Sequence, residues 1–252
     1  MNQQTPMPGE PVAGGSGFGV SLARIAEVLY APVDMFRKMS TQWGWSDWFV
    51  PIIIGIVASM VISGMIWPQL DMLTPQREAL EARGIAQEQI DTQMAATAQF
   101  FNGPLGNLLK FSQVIFYPGT LLLLALIFWG GVSVMGGRIS FGRVFSVVAY
   151  AWFPKVLEGV LYIFVLQGRE QIRADRLPSA LATNPASYLD VSQAGTPLYA
   201  LLSSLSPFTL WTMALVALGL VGVGRMSRNN AFMVVGGLFA LWLVFQAGWA
   251  AF

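Results

Sequence analysis

The stretch FGRVFSVVAYAWFPKVLEGVLYIFVL, residues 141–166, decides the fold because it is long enough to cross a bilayer and carries two charges near its middle. A helix rises about 1.5 Å per residue, so Lys155 lies roughly 18 Å along the axis from Arg143, near the midplane of a hydrocarbon layer about 30 Å thick. An unpaired charge there costs about 2.5–3.5 kcal/mol on insertion scales. Lys155 and Glu158 are three residues apart on one helical face, so we expect them to face the bundle interior and to pair.

The composition of the whole chain is that of an integral membrane protein. Of the 252 residues, 55% are hydrophobic and only 11% are charged, which is too apolar for a soluble protein of this size. The net charge of +1 indicates no nucleic-acid partner. Cysteine and histidine are both absent from the sequence, which removes disulfides, the commonest general base and the commonest transition-metal ligand. We therefore expect no catalytic residues, no cofactor and no metal site.

Runs of apolar residues predict an all-α, polytopic protein with five transmembrane helices. The clearest run is Trp48–Trp67, which has no charged residue and a tryptophan at each end, as is typical of membrane interfaces. Gly55, Ser59 and Ser63 give this helix a small-residue face for close helix contact. The predicted spans are residues 48–67, 111–135, 143–166, 206–223 and 231–252.

Polar segments separate these spans. Residues 1–20 are rich in Gly, Pro and Gln and are predicted to be a disordered cytoplasmic tail, whereas residues 21–252 are predicted to form a single membrane domain. Residues 68–107 are predicted to be a helical hairpin outside the bilayer, with Thr74 as the N-cap of its first helix. Residues 167–198 are predicted to be a second polar segment on the same side, leading into a surface helix over residues 197–205.

The segment before the first span carries two short amphipathic helices. The first places Leu22, Ile25 and Leu29 on one face with Arg24 off it, and Pro32 restarts the chain as a second helix. These helices lie either on an anionic cytoplasmic leaflet or on the membrane bundle, and both interpretations remain open. The candidate residues of a cytoplasmic docking surface are Arg24, Tyr30, Pro32, Phe36, Arg37 and Lys38.

Five spans place the two termini on opposite sides of the membrane. The short loops between spans carry Arg138 and Arg143 in one case and Arg225 and Arg228 in the other, next to the span ends. Basic residues at such positions favour the cytoplasmic side. We therefore predict a cytoplasmic N-terminus and a C-terminus outside.

The charged pair in the third span has two interpretations. Pro154 removes a backbone hydrogen bond, which predicts a kink and frees the Tyr150 carbonyl for a donor such as Lys155 or a water. The pair is then part of a polar site or ion path at a broken helix, or it is a buried ion pair that sets helix register. The candidate polar site comprises Lys155, Glu158, Pro154, Tyr162, Gln113 and Tyr117, with Thr120 and either Thr209 or Thr212 as supporting groups.

Three stretches together resemble the bacterial Yip-domain membrane proteins. LARIAEVLYAPVDMFRKMSTQWGWSDWFVPIII resembles the entry to the first span of that family. GGRISFGRVFSVVAYAWFPKVLEGVL is similar to its loop and third span, and SPFTLWTMALVALGLVGVGRMSRNNAFMVV to its fourth and fifth spans. The order and spacing of the three motifs extend the resemblance over roughly residues 22–249.

The resemblance implies a five-helix domain with a cytoplasmic N-terminus, here in a bacterial inner membrane. Eukaryotic members associate with lipidated Rab GTPases and with one another, and they carry a Leu-Tyr-Gly-Pro element before the first span. This chain has Leu29-Tyr30-Ala31-Pro32 instead, and the missing glycine puts transfer of Rab binding in doubt.

Residues and resemblance together predict a non-catalytic inner-membrane protein that organises or recruits protein partners at the membrane. Its expected partners are membrane lipid and either another membrane protein or a second copy of the chain. The alternative hypothesis is a small transporter, channel or lipid translocator that uses the intramembrane Lys–Glu pair.

Overall fold

The computed structural model describes residues 17–104, 106, 111–168 and 171–251, so most of the predicted disordered tail lies outside the described residues. The described helices are α1 (Phe18–Tyr30), α2 (Pro32–Thr41), α3 (Ser46–Ile66), α4 (Leu73–Ala82), α5 (Gln87–Asn102), α6 (Gln113–Val134), α7 (Phe141–Ala151), α8 (Phe153–Leu166), α9 (Pro197–Ser204), α10 (Pro207–Gly222) and α11 (Arg228–Trp249). Short 3-10 helices occupy Trp67–Gln69, Ala174–Ala180, Pro185–Tyr188 and Val191–Gln193. Two-residue strands, β1 (Leu70–Asp71) and β2 (Ile172–Arg173), pair in parallel.

The predicted all-α, polytopic membrane fold is confirmed. Among the described residues, four helical segments are long and apolar enough to cross a membrane: Ser46–Gln69, Gln113–Val134, Phe141–Leu166 and Arg228–Trp249. The predicted surface helix and the predicted fourth span correspond to α9 and α10, which meet at an angle of 56°. Because α10 has only 16 residues, it is shorter than the roughly 20 that a span needs, and the count reaches five when the bent pair is taken as one span.

The third span is the central helix of the bundle. In its most apolar stretch of 18 residues, 56% is buried inside the protein. The corresponding values for Ser46–Gln69, Gln113–Val134 and Arg228–Trp249 are 28%, 22% and 17%. The helix is interrupted at Trp152, between α7 and α8, and Pro154 lies in the first turn of α8, where its missing N–H costs least. The interruption therefore begins two residues before the proline.

The N-terminal helices pack on the bundle, which is the second of the two interpretations left open above. Met35, Phe36 and Met39 of α2 are fully buried. Phe36 lies against two glycines of α10: a Cβ added at Gly222 would be 2.8 Å from the Phe36 Cβ, and one added at Gly219 would be 3.1 Å from its Cε1. These glycines let α2 approach α10 closely enough to bury the whole aromatic ring.

One member of the predicted small-residue face of the first span, Gly55, makes a close helix contact. A Cβ added at Gly55 would lie only 2.0 Å from the hydroxyl oxygen of Tyr117 on α6. The absence of a side chain at residue 55 therefore lets the tyrosine ring lie directly against the backbone of α3.

We call the side of the bundle that carries α1 and α2 the N-terminal end, and the opposite side the far end. At the far end, α4 and α5 form the predicted helical hairpin, joined by an ion pair between Arg77 and Asp91 at 3.0 Å. Arg173 connects this hairpin to the second polar segment through an ion pair with Glu78 at 2.6 Å. The short β1–β2 pairing adds backbone hydrogen bonds to the same connection.

The prediction that Thr74 is the N-cap of the hairpin was wrong. The helix α4 already begins at Leu73. Its first free backbone N–H groups, those of Leu73 and Thr74, both donate to Asp71 Oδ1 at 3.0 Å. An aspartate two residues before the helix therefore performs the capping, because a carboxylate accepts from two N–H groups and suits the positive end of the helix dipole.

We predict that Asp71→Ala destabilises the start of α4 by about 1 kcal/mol, as loss of a cap does. Hydrogen bonds from Thr74 hold the pKa of Asp71 below its usual 3.8. The contribution of Asp71 is therefore fully present above pH 3.8 and is lost as the pH falls through the lowered pKa of the folded protein. Hydrogen exchange at the Leu73 and Thr74 amides at pH 7 should be faster in the variant, and unchanged rates would contradict the prediction.

Candidate functional site

The structure brings the two charges of the third span together. Lys155 Nζ forms an ion pair with Glu158, and it also donates a hydrogen bond to Thr209 Oγ1 on α10 at 3.3 Å. Glu158 is 4% exposed, whereas the Lys155 side chain is half-buried. The pair is therefore a contact between α8 and α10 as well as within α8.

The polar chain extends from the pair to the start of α10. Ser206 caps this helix by accepting from the Thr209 N–H at 3.1 Å, and the two hydroxyl groups lie 3.0 Å apart. Thr212, one turn further along, is buried, and its hydroxyl oxygen has no hydrogen-bond partner in the described part of the chain. Thr120 was expected to support the site, but it is exposed on the outside of the bundle and takes no part in it.

Lys155 does not form the predicted hydrogen bond to the Tyr150 carbonyl beside Pro154. Pro154 is buried, and the Trp152 N–H at the interruption of the helix donates to the Val148 carbonyl at 3.1 Å, with the Tyr150 carbonyl as a second acceptor. The partners of Lys155 are the two side chains named above. Of the two donors predicted for the freed carbonyl, Lys155 and a water, Lys155 is therefore not the one that the structure shows.

Two adjoining cavities lie beside the pair, between α3, α6 and α8. The inner one, of about 140 Å³, is lined by polar groups that include Ser59, Gln113, Tyr117 and Lys155. The outer one, of about 290 Å³, is mainly apolar and is lined towards the far end by residues such as Ile66, Trp67, Tyr162 and Leu177. Both are lined by Ile62, Ser63, Gln113 and Gly159.

We call the two together the far-end cavity. It brings together Gln113, Tyr117, Lys155 and Tyr162 of the predicted polar site. Glu158 does not line the cavity, but it forms an ion pair with Lys155, which does. This space can accommodate a small polar group next to an apolar body.

The predicted docking surface divides into buried and exposed residues. Arg24 is 2% exposed and Phe36 is fully buried, so the prediction that these two take part in docking was wrong. Tyr30 is 74% exposed, the side chains of Arg37 and Lys38 are also exposed, and Pro32 is half-buried.

The exposed residues surround a groove at the N-terminal end of the bundle. It has a volume of about 320 Å³ and is lined by Glu27, Tyr30, Ala31, Asp34, Arg37 and Lys38. Its charges form two pairs, Lys38 with Glu27 and Arg37 with Asp34, both at 3.3 Å. We call this the N-terminal groove.

Sequence reasoning missed the most deeply buried charges among the residues that the structure describes. Arg24 of α1 and Asp47 of α3 form an ion pair at 2.5 Å, with both side chains almost completely excluded from solvent. Tyr150 Oη donates to Asp47 Oδ1 at 3.2 Å, and Ser21 Oγ lies within hydrogen-bonding distance of both Asp47 and Ser46. We call Ser21, Arg24, Ser46, Asp47 and Tyr150 the buried polar cluster.

This cluster connects three helices that are distant in sequence. The Tyr150 hydroxyl also lies 3.1 Å from the Ser21 carbonyl, and the second oxygen of Asp47 accepts from the Gly44 N–H at 2.9 Å. An aspartate at the very start of an apolar span, preceded by a serine, is the signal that could have indicated a buried acceptor. The identity of its partner could not be predicted without knowing how α1 folds back.

The described residues contain no group of three or more acidic, histidine or cysteine side chains that could hold a metal ion. The polar groups of the far-end cavity are suited to hydrogen bonding instead.

Comparison with known proteins places the chain among membrane proteins. A family model described as the Yip1 domain matches residues 26–250, which confirms the resemblance stated from the sequence. The chain is 25% identical over 237 residues to the membrane protein YknW of Bacillus subtilis (strain 168), covering 92% of this chain and 91% of the relative. No solved structure matches it.

Proposed function

Because the chain belongs to the Yip1-domain family, we propose that it is a non-catalytic protein of the bacterial inner membrane that recruits or organises protein partners at its N-terminal groove. The observation that carries the proposal is that two separate buried contacts position the helices forming this groove. The buried polar cluster holds α1 against α3. Phe36 of α2 packs against Gly219 and Gly222 of α10 and so holds α2. A surface held in this way is already ordered before a partner arrives, which lowers the entropy cost of binding.

We propose that this groove faces the cytoplasm. The turns at the same end of the bundle carry Arg138 and Arg225 next to span ends, and basic residues there favour the cytoplasmic side. The C-terminal end of α11 then lies on the opposite, outer side.

The proposed partner is another membrane protein, since the groove lies beside the ends of the spans. Its paired charges suit a segment that also carries both signs, and the exposed Tyr30 offers an aromatic contact of the kind that dominates interfaces. Ala31 lines the groove at the position where eukaryotic relatives have a glycine. Because this element differs from theirs, we do not propose a Rab-type GTPase as the partner.

The test is photo-crosslinking from residue 30 in intact cell membranes. Benzoylphenylalanine replaces Tyr30, and the same probe replaces the exposed Tyr188 of the far-end segment as the matched control. We expect a discrete adduct with another membrane protein from residue 30 only, lost when Arg37 and Lys38 are both changed to glutamate. An adduct between two copies would favour self-association, and the absence of any adduct specific to residue 30 would contradict the proposal.

A second candidate function is transport through the bundle. The observation that favours it is that the far-end cavity reaches Lys155, where the third span is interrupted and an ion pair lies near the predicted midplane. A transporter, channel or lipid translocator would use the polar groups at the inner end of this cavity.

Flux in proteoliposomes tests this second candidate. Vesicles with the full chain are compared with protein-free vesicles for movement of protons, small ions and fluorescent phospholipid. We expect Lys155→Met and Glu158→Gln each to reduce any flux at least tenfold. The control is Ser133→Ala, at an exposed position of α6 that does not line the cavity. Wild-type flux equal to that of empty vesicles would remove transport as a function.

A further inference from the structure

Packing on the bundle uses only one side of α1. We propose that the opposite side of this helix is inserted among the phospholipid acyl chains of the leaflet at the N-terminal end, so that α1 lies within the membrane rather than at its aqueous surface. The partner of this surface is lipid. The inference does not require a protein partner at the N-terminal groove, so the two proposals can fail separately.

The burial pattern of α1 is the reverse of that of a helix that faces water. Its buried residues are Ser21, Arg24 and Val28, of which two are polar. Its exposed side chains include Phe18 and Leu22, with 62% and 46% of their surface exposed, and no exposed residue of α1 is charged. A helix at a protein–water surface instead buries its apolar side chains and exposes its charges. The outer surface of α1 therefore suits hydrocarbon.

The exposed side of α1 adjoins the lipid-facing surface of the first span. Ser21 Oγ donates to Ser46 Oγ at 2.9 Å, so α1 packs beside the first turn of α3. That turn also carries Trp48 and Phe49, whose rings are exposed on the outside of the bundle. Aromatic side chains at the start of a span contact lipid at the membrane interface. Lipid that covers these two rings therefore also reaches α1.

The position of α1 along the bundle is at the depth of the leaflet. The Tyr150 hydroxyl lies 3.1 Å from the Ser21 carbonyl, and Tyr150 lies about 13 Å along the third span from Phe141 at 1.5 Å per residue. The helix α1 also contacts α8, which begins only at Phe153. One leaflet contributes about 15 Å of hydrocarbon, so contacts this far along a span lie within the membrane.

Both charged residues of α1 avoid the lipid. Arg24 points into the bundle, where its ion pair with Asp47 at 2.5 Å compensates its charge. Glu27 is half-buried and pairs with Lys38 at the N-terminal groove, at 3.3 Å. An inserted amphipathic helix separates charged and apolar side chains in this way. The buried polar cluster therefore gives the arginine of α1 a partner inside the protein and leaves an uncharged surface for the acyl chains.

The test is fluorescence quenching of single-cysteine variants of the full chain in phospholipid vesicles. The chain contains no cysteine, so an NBD label on Leu22→Cys reports on that position alone. The matched control is a label on Asp34→Cys, an exposed position of α2 at the same end of the bundle. We expect the label at residue 22 to be quenched by doxyl groups on the acyl chains and to be about fivefold less sensitive to aqueous iodide than the label at residue 34. The label at residue 34 should be quenched by iodide and not by the doxyl lipid.

If Leu22→Cys does not fold, a label on Phe18→Cys decides the question, because Phe18 lies one turn earlier on the same exposed side. Iodide quenching at residue 22 equal to that at residue 34 would show that α1 faces water. Protection from both quenchers would show that protein, either a second copy or another chain, covers this side. Each of these two results would overturn the proposal, whether or not residue 30 crosslinks to a partner.

Discussion

Asp47→Ala is expected to lower the free energy of unfolding by about 3–5 kcal/mol, because removing one member of a buried ion pair leaves the other charge buried and uncompensated. The charge left without its partner is that of Arg24, which is 2% exposed and whose Nη1 lies 2.5 Å from Asp47 Oδ1. Tyr150 and the Gly44 N–H lose the same acceptor. The measurement is unfolding by sodium dodecyl sulfate in mixed micelles, followed by tryptophan fluorescence.

Two further variants separate the ion pair from a general effect of losing an aspartate. Asp34→Ala removes an exposed carboxylate on α2 and should change stability by less than about 0.5 kcal/mol. The double variant Arg24→Met, Asp47→Leu removes both charges and should be more stable than Asp47→Ala alone, since two apolar side chains leave no buried charge. A loss below about 1 kcal/mol in Asp47→Ala would show that Arg24 finds solvent or another partner.

The parts of this fold that depend on neighbouring residues could be predicted from the sequence. The spans were located because hydropathy is a local property of about 20 residues. The contact between Lys155 and Glu158 could be expected for a similar reason, because residues three apart on a helix are neighbours. The break between α9 and α10 was also expected, because a surface helix over residues 197–205 was predicted to precede a span that begins at residue 206, and Ser206 and Pro207 begin a new helix there.

The parts that depend on distant residues could not be predicted in this way. Helical periodicity placed Arg24 off the apolar face and therefore on the surface, but its partner Asp47 lies 23 residues away in another helix. The burial of Phe36 likewise depends on two glycines of α10 near the other end of the sequence. Periodicity shows which face of a helix is apolar, but it does not identify what covers that face.

The contacts of Arg24 and Phe36 divide the predicted docking residues into a buried group, which holds the helices, and an exposed group, which a partner can reach. Arg24 and Phe36 are the residues that hold α1 and α2, whereas Tyr30, Arg37 and Lys38 are the residues that those helices present. Substitutions in the first group should therefore alter stability and recruitment together. Substitutions in the second group should alter recruitment alone.

Phe36→Ala is expected to destabilise the protein by about 3–5 kcal/mol, the usual cost of removing a buried phenylalanine. The ring is fully buried against α10, where Gly219 and Gly222 leave no side chain that could fill the space. Thermal unfolding in detergent measures the loss. Phe36→Leu, which keeps most of the apolar volume, should lose less than half as much.

The matched control is Tyr30→Ala, which removes an aromatic ring of similar size from the exposed end of α1. It should leave the unfolding temperature within about 2 °C of wild type, because a surface substitution changes stability by less than about 0.5 kcal/mol. Phe36→Ala should also weaken the crosslink from residue 30, since α2 then loses its position beside the N-terminal groove. An unchanged unfolding temperature in Phe36→Ala would mean that α2 is not held by this contact, and the proposal of an ordered docking surface would lose its support.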